Sequence, residues 1–146
     1  METILISACL VGDKVRYNGK GNYNPLIEKI KDKYDLVLIC PEVMGGLSVP
    51  RDPSEILKDS VITSSGKDVS SYFNKGALIA KNLANYTNAR KAILVDNSPS
   101  CGVHNIHNGK FDDVLIKGEG VTTRLLKHYG VTCYTLEEFV EEFITN

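Results

Sequence analysis

The sequence predicts a three-layer α/β domain built on a mostly parallel sheet of about four strands, with small hairpins outside it. Short apolar runs recur along the chain, and such runs are typical of strands that are covered on both faces of a parallel sheet. Amphipathic helical patterns lie between several of these runs. The alternation of the two patterns is the one expected of βαβ units.

The apolar runs with the clearest strand pattern end in or lead to a cysteine. The runs over residues 3–9 and 35–40 end at Cys9 and Cys40, and the run over residues 92–95 opens into small polar residues that lead to Cys101. Each cysteine lies next to a polar or glycine-rich segment that is predicted to be a loop. Loops at the carboxyl ends of parallel strands commonly bind ligands. We therefore predict that the three cysteines meet at one edge of the sheet.

The segments between the strands predict crossover helices. Asn24 is a plausible cap before Pro25, and apolar residues follow at roughly helical spacing, so we predict a first crossover helix and a right-handed βαβ unit. The longest amphipathic pattern covers residues 71–88 and predicts the helix that leads back to the third strand. Residues 61–69 predict a small hairpin outside the main sheet.

Residues 41–55 predict a long functional loop. This segment contains three prolines, two adjacent glycines, Glu42 and Arg51. Loops of this length are uncommon in compact domains unless they bind something or are disordered, and the apolar residues of the segment argue against disorder.

The last third of the chain predicts one more hairpin, a fourth strand and two helices. Residues 104–111 indicate a hairpin about Asn108-Gly109 that carries both His104 and His107. The remaining elements are a helix over residues 120–129 closed by Gly130, a strand over residues 131–134, and a final helix opened by a capping box at Thr135. The whole order predicts a single Rossmann-like domain over residues 1–146.

Length and composition narrow the classes of function. A chain of 146 residues fits one domain, which can bury about 68 to 70% of its unfolded surface without a disulfide or metal. The net charge of −1 gives no electrostatic reason to expect binding to nucleic acid or membranes, and no apolar run approaches the roughly 20 residues of a membrane span. The sequence lacks the positively charged start of a secretion signal, so we expect a cytoplasmic protein. In that compartment we expect the four cysteines not to be disulfide-bonded.

Each cysteine alone could be a small apolar residue in the core, and we assign Cys133 to this class because no polar loop follows it. Three thiolates together suit zinc or an iron–sulfur cluster. Zinc would need a fourth ligand, for which His104 or His107 could serve, and it usually has short CxxC spacing, which is absent here. A cluster held by three cysteines leaves one iron open to a substrate.

Several motifs together resemble one small bacterial family, which includes thiouracil desulfidase, and the resemblance covers nearly the whole chain. The motifs are Ser7-Ala8-Cys9-Leu10-Val11-Gly12, Arg16-Tyr17-Asn18-Gly19, Cys40-Pro41-Glu42-Val43-Met44-Gly45-Gly46-Leu47, Pro50-Arg51 and Ser98-Pro99-Ser100-Cys101-Gly102. The resemblance implies a [4Fe-4S] cluster held by Cys9, Cys40 and Cys101, whose fourth iron takes the sulfur of a thiocarbonyl substrate. By the same match, Glu42 is the group that moves protons to and from the attacking water, and Ser98 positions the substrate or an intermediate.

Two hypotheses follow. The first is an enzyme, a monomer or homodimer, that removes sulfur from a thiolated nucleobase, nucleoside or nucleotide, releases sulfide, and uses neither a nucleic-acid polymer nor a membrane. The second is a non-catalytic module in which the cysteines hold zinc or an iron–sulfur cluster as a redox or sulfur sensor. Glu42 and Ser98 discriminate, because a sensor needs no proton-transfer group beside an open iron. The sequence assigns no roles to Arg16, Arg51, His104 and His107.

Overall fold

The computed structural model describes residues 1–145 and has an α/β architecture. Its strands are β1 (Thr3–Ser7), β2 (Asp35–Ile39), β3 (Ser54–Leu57), β4 (Ser60–Thr63), β5 (Lys91–Ile93), β6 (Asn105–His107), β7 (Leu115–Lys117) and β8 (Thr132–Tyr134). Its α-helices are α1 (Pro41–Met44), α2 (Ser70–Thr87), α3 (Val121–His128) and α4 (Leu136–Phe143), and short 3₁₀ helices cover Ala8–Val11 and Pro25–Lys29.

A parallel four-stranded sheet forms the centre of the fold, with the strand order β2-β1-β5-β8. All of its pairings are parallel, and β1 pairs with β2 along its full length, from Thr3 opposite Asp35 to Ser7 opposite Ile39. The predicted fold class is therefore confirmed. Because the strands run in one direction, the segments that leave β1, β2 and β5 all start at the same edge of the sheet.

Helices cover both faces of this sheet, as the alternation of side chains along β1 shows. Leu5 packs into a cluster with residues of α2 and α3, whereas Ile4 and Ile6 pack on the opposite face with residues of the Pro25–Lys29 helix and α4. All three β1 side chains are fully buried, and each such burial stabilises the fold by about 1.5 to 3 kcal/mol.

Two predictions about the first βαβ unit are wrong in detail. The crossover is the 3₁₀ helix Pro25–Lys29 rather than an α-helix, although Asn24 caps it by accepting a hydrogen bond from the backbone N–H of Leu26 (3.0 Å). The buried side chains Ile27 and Ile30 are three residues apart, which matches the repeat of a 3₁₀ helix. Strand β2 is not covered on both faces: it lies at the sheet edge, and Leu38 is 42% exposed.

The other connections follow the predictions more closely. The long loop after Cys40 is interrupted by α1 and ends at β3, which pairs with β4 in a hairpin outside the main sheet. The predicted hairpin over residues 61–69 is present but short: Ile62 bridges Asp68, Val69 N–H donates to the Val61 carbonyl (2.8 Å) and Thr63 N–H donates to the Lys67 carbonyl (2.8 Å). Strands β6 and β7 form the later hairpin, but Asn108-Gly109 only begins a connection that runs to residue 114.

The helices of the second half begin and end close to the predicted positions. Helix α2 spans Ser70–Thr87, Gly130 follows α3 with a φ of 87°, and Thr135 opens α4 with a capping box to Glu138. No helix within residues 1–145 is both long enough and apolar enough to cross a membrane.

Candidate functional site

A cavity of about 430 Å³ lies where β1, β2 and β5 end. Cys9, Cys40 and Cys101 all line it, each delivered by the segment that follows a different strand. Cys9 and Cys101 are buried and Cys40 is half-buried. The structure thus brings together the three cysteines that the sequence places at strand ends.

Local structure fixes each cysteine. Cys9 lies in the 3₁₀ helix that ends at Gly12, a residue with a φ of 105° whose N–H donates to the carbonyl of Cys9 (3.1 Å). Cys40 occupies the N-cap position of α1. The backbone N–H of Cys101 donates to Ser98 Oγ (3.1 Å), which holds the thiol in a tight turn.

The thiols are strongly biased towards the protonated form. Burial, together with the neighbouring Cys40, raises the pKa of Cys9 to about 11. Burial likewise raises the pKa of Cys40, and it raises that of Cys101 to about 12 although the Ser7 and Ser100 hydroxyls oppose the shift. A cationic centre among these thiols would offset this cost and displace their protons, as metal binding to cysteine does.

Glu42 lies in the first turn of α1 and forms a buried ion pair with Arg51. Arg51 Nε donates to Glu42 Oε1 (3.1 Å), and the two side chains are 8% and 14% exposed, respectively. The guanidinium also donates to the carbonyls of Ser48 (3.1 Å) and Val15 (3.0 Å). Arg51 therefore holds the carboxylate in place and compensates its charge within the cavity wall.

The second oxygen of Glu42 joins a chain of hydroxyls. Ser100 Oγ donates to Glu42 Oε2 (2.9 Å), and Ser98 Oγ lies 2.9 Å from Ser100 Oγ. Ser100 has one hydroxyl proton, and the Glu42 carboxylate is a closer and stronger acceptor than the Cys101 sulfur (3.6 Å), so we assign this proton to Glu42 and the Ser98 proton to Ser100. Ser98 and Glu42, the two residues predicted as a catalytic pair, are thus linked through Ser100.

Ser100 and Asp96 are site residues that the sequence reasoning did not single out. Ser100 is fully buried between Ser98 and Glu42, and the Ser-Pro-Ser-Cys motif was the only local sign of it. The pKa of Asp96 is lowered. Burial alone would raise this pKa, but four backbone N–H groups donate to the carboxylate and outweigh the effect of burial. These hydrogen bonds come from residues 97 and 103–105 (2.9 to 3.1 Å) and fix the loop that carries Ser98 and Cys101.

The remaining predicted residues separate into two groups. Arg16 and His107 line the cavity, whereas His104 lies outside it and pairs with Glu138 on the surface (2.8 Å). His104 is therefore ruled out as a fourth ligand beside the three cysteines. Cys133 is half-buried, packs against the core, and lines a separate cleft.

The geometry does not favour a single metal ion. Within residues 1–145, no three His, Cys, Asp or Glu side chains are gathered as ligands of one ion. The three cysteines do line one cavity, and in an iron–sulfur cluster each thiolate would hold a separate iron.

Comparisons with known proteins identify the family of this chain. Residues 4–138 match a family model described as 2-thiouracil desulfurase. An uncharacterized protein of Bacillus subtilis (strain 168), YbbK, is 41% identical over an alignment of 137 positions that covers 87% of this chain and 91% of the relative. The solved structure of a [4Fe-4S]-dependent thiouracil desulfidase, TudS, superposes with a TM-score of 0.91 at 39% identity, and covers 97% of this chain and 95% of that one.

Proposed function

The chain belongs to the 2-thiouracil desulfurase family, and from this premise we propose that it is a [4Fe-4S]-dependent desulfidase. Its substrate is a thiolated nucleobase, nucleoside or nucleotide of the thiouracil type. The net reaction exchanges the sulfur of a C=S group for the oxygen of water and releases hydrogen sulfide, with no change in oxidation state. The observation that carries the proposal is the convergence of three thiols and the Glu42–Ser100–Ser98 chain on one cavity.

Cys9, Cys40 and Cys101 are the residues that hold the cluster. Their thiols fit it in chemistry, because iron–sulfur clusters are held by thiolates, and in placement, because the three line one cavity. When bound through three cysteines, the cluster supplies an open iron with an affinity for the soft sulfur of a thiocarbonyl.

Glu42 is proposed as the group that takes a proton from the attacking water and returns it to the departing sulfur. Arg51 fixes one oxygen of its carboxylate, so the other is held towards Ser100. The N–H groups of Ser100 and Cys101 fix Ser98 Oγ (both 3.1 Å), and its proton, directed at Ser100 in the free protein, would turn to a bound substrate and position it beside the thiols. A carboxylate positioned in this way typically contributes about 10²- to 10⁴-fold to such a step.

The alternative, a sensor module, gains no specific support from the cavity. A sensor requires the cysteines but has no use for a buried acid that is paired with Arg51 and linked by hydroxyls to Ser98. The four free thiols suit a reducing compartment, so we expect the enzyme to act in the cytoplasm.

The test is anaerobic reconstitution followed by turnover. Protein purified without oxygen should contain about four irons and four sulfides per chain, as expected of this cluster type, and should be brown. It should release sulfide from thiolated uracils, their nucleosides or their nucleotides, with the oxo product identified by chromatography. A colourless protein with one zinc per chain, or a loaded cluster with no turnover across these three compound classes, would favour the sensor module instead.

A further inference from the structure

Glu55 is a buried carboxylate in the cavity wall that the proposed chemistry does not use. It lies on β3, is 8% exposed, and lines the same cavity as the cysteines. Its Oε1 accepts hydrogen bonds from the backbone N–H groups of Gly109 (3.0 Å) and Phe111 (3.1 Å). Among residues 1–145 no cation pairs with Glu55 and no donor reaches its Oε2, so this oxygen can accept a hydrogen bond from a bound molecule.

His107 offers the opposite hydrogen-bonding character in the same cavity. It ends β6, two residues before Gly109, and neither ring nitrogen has a partner among the described residues. Its Nδ1 is sealed from solvent. A neutral imidazole carries one N–H, and placing it on Nε2 avoids burying an unpaired donor at Nδ1. On this argument we assign the N–H to Nε2, so His107 offers a donor to the cavity whose wall also contains the acceptor Glu55.

An aromatic ring completes this part of the wall. Phe111 lines the cavity and is 38% exposed, and its backbone, at a φ of 55°, is tied to Glu55 through its N–H. A ring at the edge of a cavity that contains one fixed acceptor and one fixed donor suits a flat heterocycle with a polar edge.

We propose that Glu55 and His107 form the subsite that selects a uracil-type ring. Glu55 Oε2 accepts from a ring N–H, and His107 Nε2 donates to the adjacent ring carbonyl. Both 2-thiouracil and 4-thiouracil keep such an N–H beside a C=O after one oxygen is replaced by sulfur. A cytosine ring whose N1 is substituted, as in a nucleoside, presents the reverse pattern, an unprotonated N3 beside an amino group, and would leave both protein groups unpaired. The assignment rests on the proposed function, since it names the ring that brings the thiocarbonyl to the thiols.

The experiment measures binding of sulfur-free bases, which cannot be turned over. 1-Methyluracil and 1-methylcytosine (uracil and cytosine below), in which methylation blocks the N1–H that both free bases share, are titrated into the anaerobically reconstituted protein by calorimetry. Uracil should bind at least about 10-fold more tightly than cytosine, the difference expected when hydrogen bonds to a charged group are satisfied or left unmade. In Glu55→Gln, the amide oxygen can still accept from Gly109 and Phe111, while the amide nitrogen replaces Oε2 and donates. The ratio of uracil to cytosine affinity should therefore fall about 10-fold or more.

Two further variants keep the result interpretable. His107→Phe removes the donor and should weaken uracil binding, which tests the subsite even if Glu55→Gln folds poorly. Asp59→Asn makes the same acid-to-amide change at an exposed position on the β3–β4 hairpin and should leave both affinities unchanged. Equal binding of the two bases, no saturable uracil binding, or an unchanged ratio in Glu55→Gln would overturn the assignment. Selective uracil binding without desulfuration of 2-thiouracil would instead overturn the proposed function and leave the subsite standing.

Discussion

At the scale of single residues, the two oxygens of Glu42 have different partners. Oε1 is held by Arg51 and Oε2 accepts from Ser100, so the side chain has little freedom to leave the cavity wall. These contacts span 9 and 58 residues of sequence. The family resemblance points to Glu42, and its position two residues after Cys40 agrees with that role. Its partners could not be predicted, since only the tertiary fold brings β2, the loop at Arg51 and the loop at Ser100 together.

Replacing Glu42 tests its role as the proton carrier. Glu42→Gln keeps the shape of the side chain and an oxygen for Arg51, but its amide group cannot take a proton from water. We expect a normal cluster spectrum and unchanged binding of uracil. The turnover number for a thiouracil-type substrate should fall by about 10²- to 10⁴-fold.

The control for this variant is Glu137→Gln, an exposed acid on α4 that lies outside the cavity. It should retain the turnover of the unmodified protein. Near-normal turnover in Glu42→Gln with a fully loaded cluster would remove Glu42 from the mechanism.

The cysteines allow a matched comparison within one chain. Cys9→Ala, Cys40→Ala and Cys101→Ala should each lose the cluster, because two thiolates leave a further iron without a protein ligand. Cys133→Ala should retain it, since Cys133 lines a different cleft. Iron content and the visible absorption spectrum are the measurements. Loss of the cluster in Cys133→Ala, with retention in any of the other three, would show that the ligand set is wrong.

At the scale of elements, the contact between α1 and α2 sets the position of Glu42. A Cβ atom on Gly76 of α2 would clash with the backbone carbonyl of Pro41, and one on Gly45, just after α1, would clash with that of Tyr72. The two helices therefore approach backbone to backbone, which is possible only without side chains at these positions. The amphipathic pattern of the sequence predicts α2, but no feature of the sequence near Gly76 predicts that this residue faces another helix.

Gly76→Ala should therefore push α1, and with it Cys40 and Glu42, away from α2. Overpacking of this kind costs about 1 to 3 kcal/mol, partly offset by the roughly 1 kcal/mol gained when alanine replaces glycine in a helix. We expect a lower midpoint of denaturant unfolding and weaker cluster retention. Asn82→Ala, at an exposed position of the same helix, improves helix propensity without a clash and should not lower the midpoint. A Gly76→Ala protein as stable as Asn82→Ala would contradict this account of the contact.

Strand β2 shows where pattern-based prediction of elements stops. Its apolar run predicts a strand correctly, yet it lies at the edge of the sheet and is only partly covered. A run of apolar residues reports a preference for the strand conformation, whereas coverage depends on which segments pack over it. Here a five-residue 3₁₀ helix replaces the expected α-helix in the crossover before β2.

At the scale of the whole molecule, one topological fact produces the site. In the order β2-β1-β5-β8, the three strands that lead to cysteines are direct neighbours. The sequence predicts parallel strands and hence a shared edge, but it does not predict the order of the strands, which follows from packing on both faces of the sheet. Had β8 lain between β1 and β5, Cys101 would have been separated from Cys9 by a further strand.

The same topology predicts that the fold does not depend on the cluster. The two main core clusters lie on opposite faces of the sheet and consist mainly of aliphatic and aromatic side chains from strands and helices. Removing the cluster leaves no buried charge on the cysteines at neutral pH, because burial raises the pKa of Cys9 to about 11 and that of Cys101 to about 12, so both thiols take up protons.

Cluster-free protein, prepared by exposure to air followed by reduction, should therefore keep the far-ultraviolet circular dichroism of the loaded protein. It should also unfold cooperatively in denaturant, with the stability of about 5 to 15 kcal/mol that is usual for a domain of this kind. The loaded protein should unfold at a higher denaturant concentration, because a group that binds only the folded state adds to its stability. This differs from a zinc finger, in which metal binding supplies the free energy of folding. A disordered spectrum for the cluster-free chain would mean that the three thiolate bonds, rather than the two-sided core, hold β1, β2 and β5 in register.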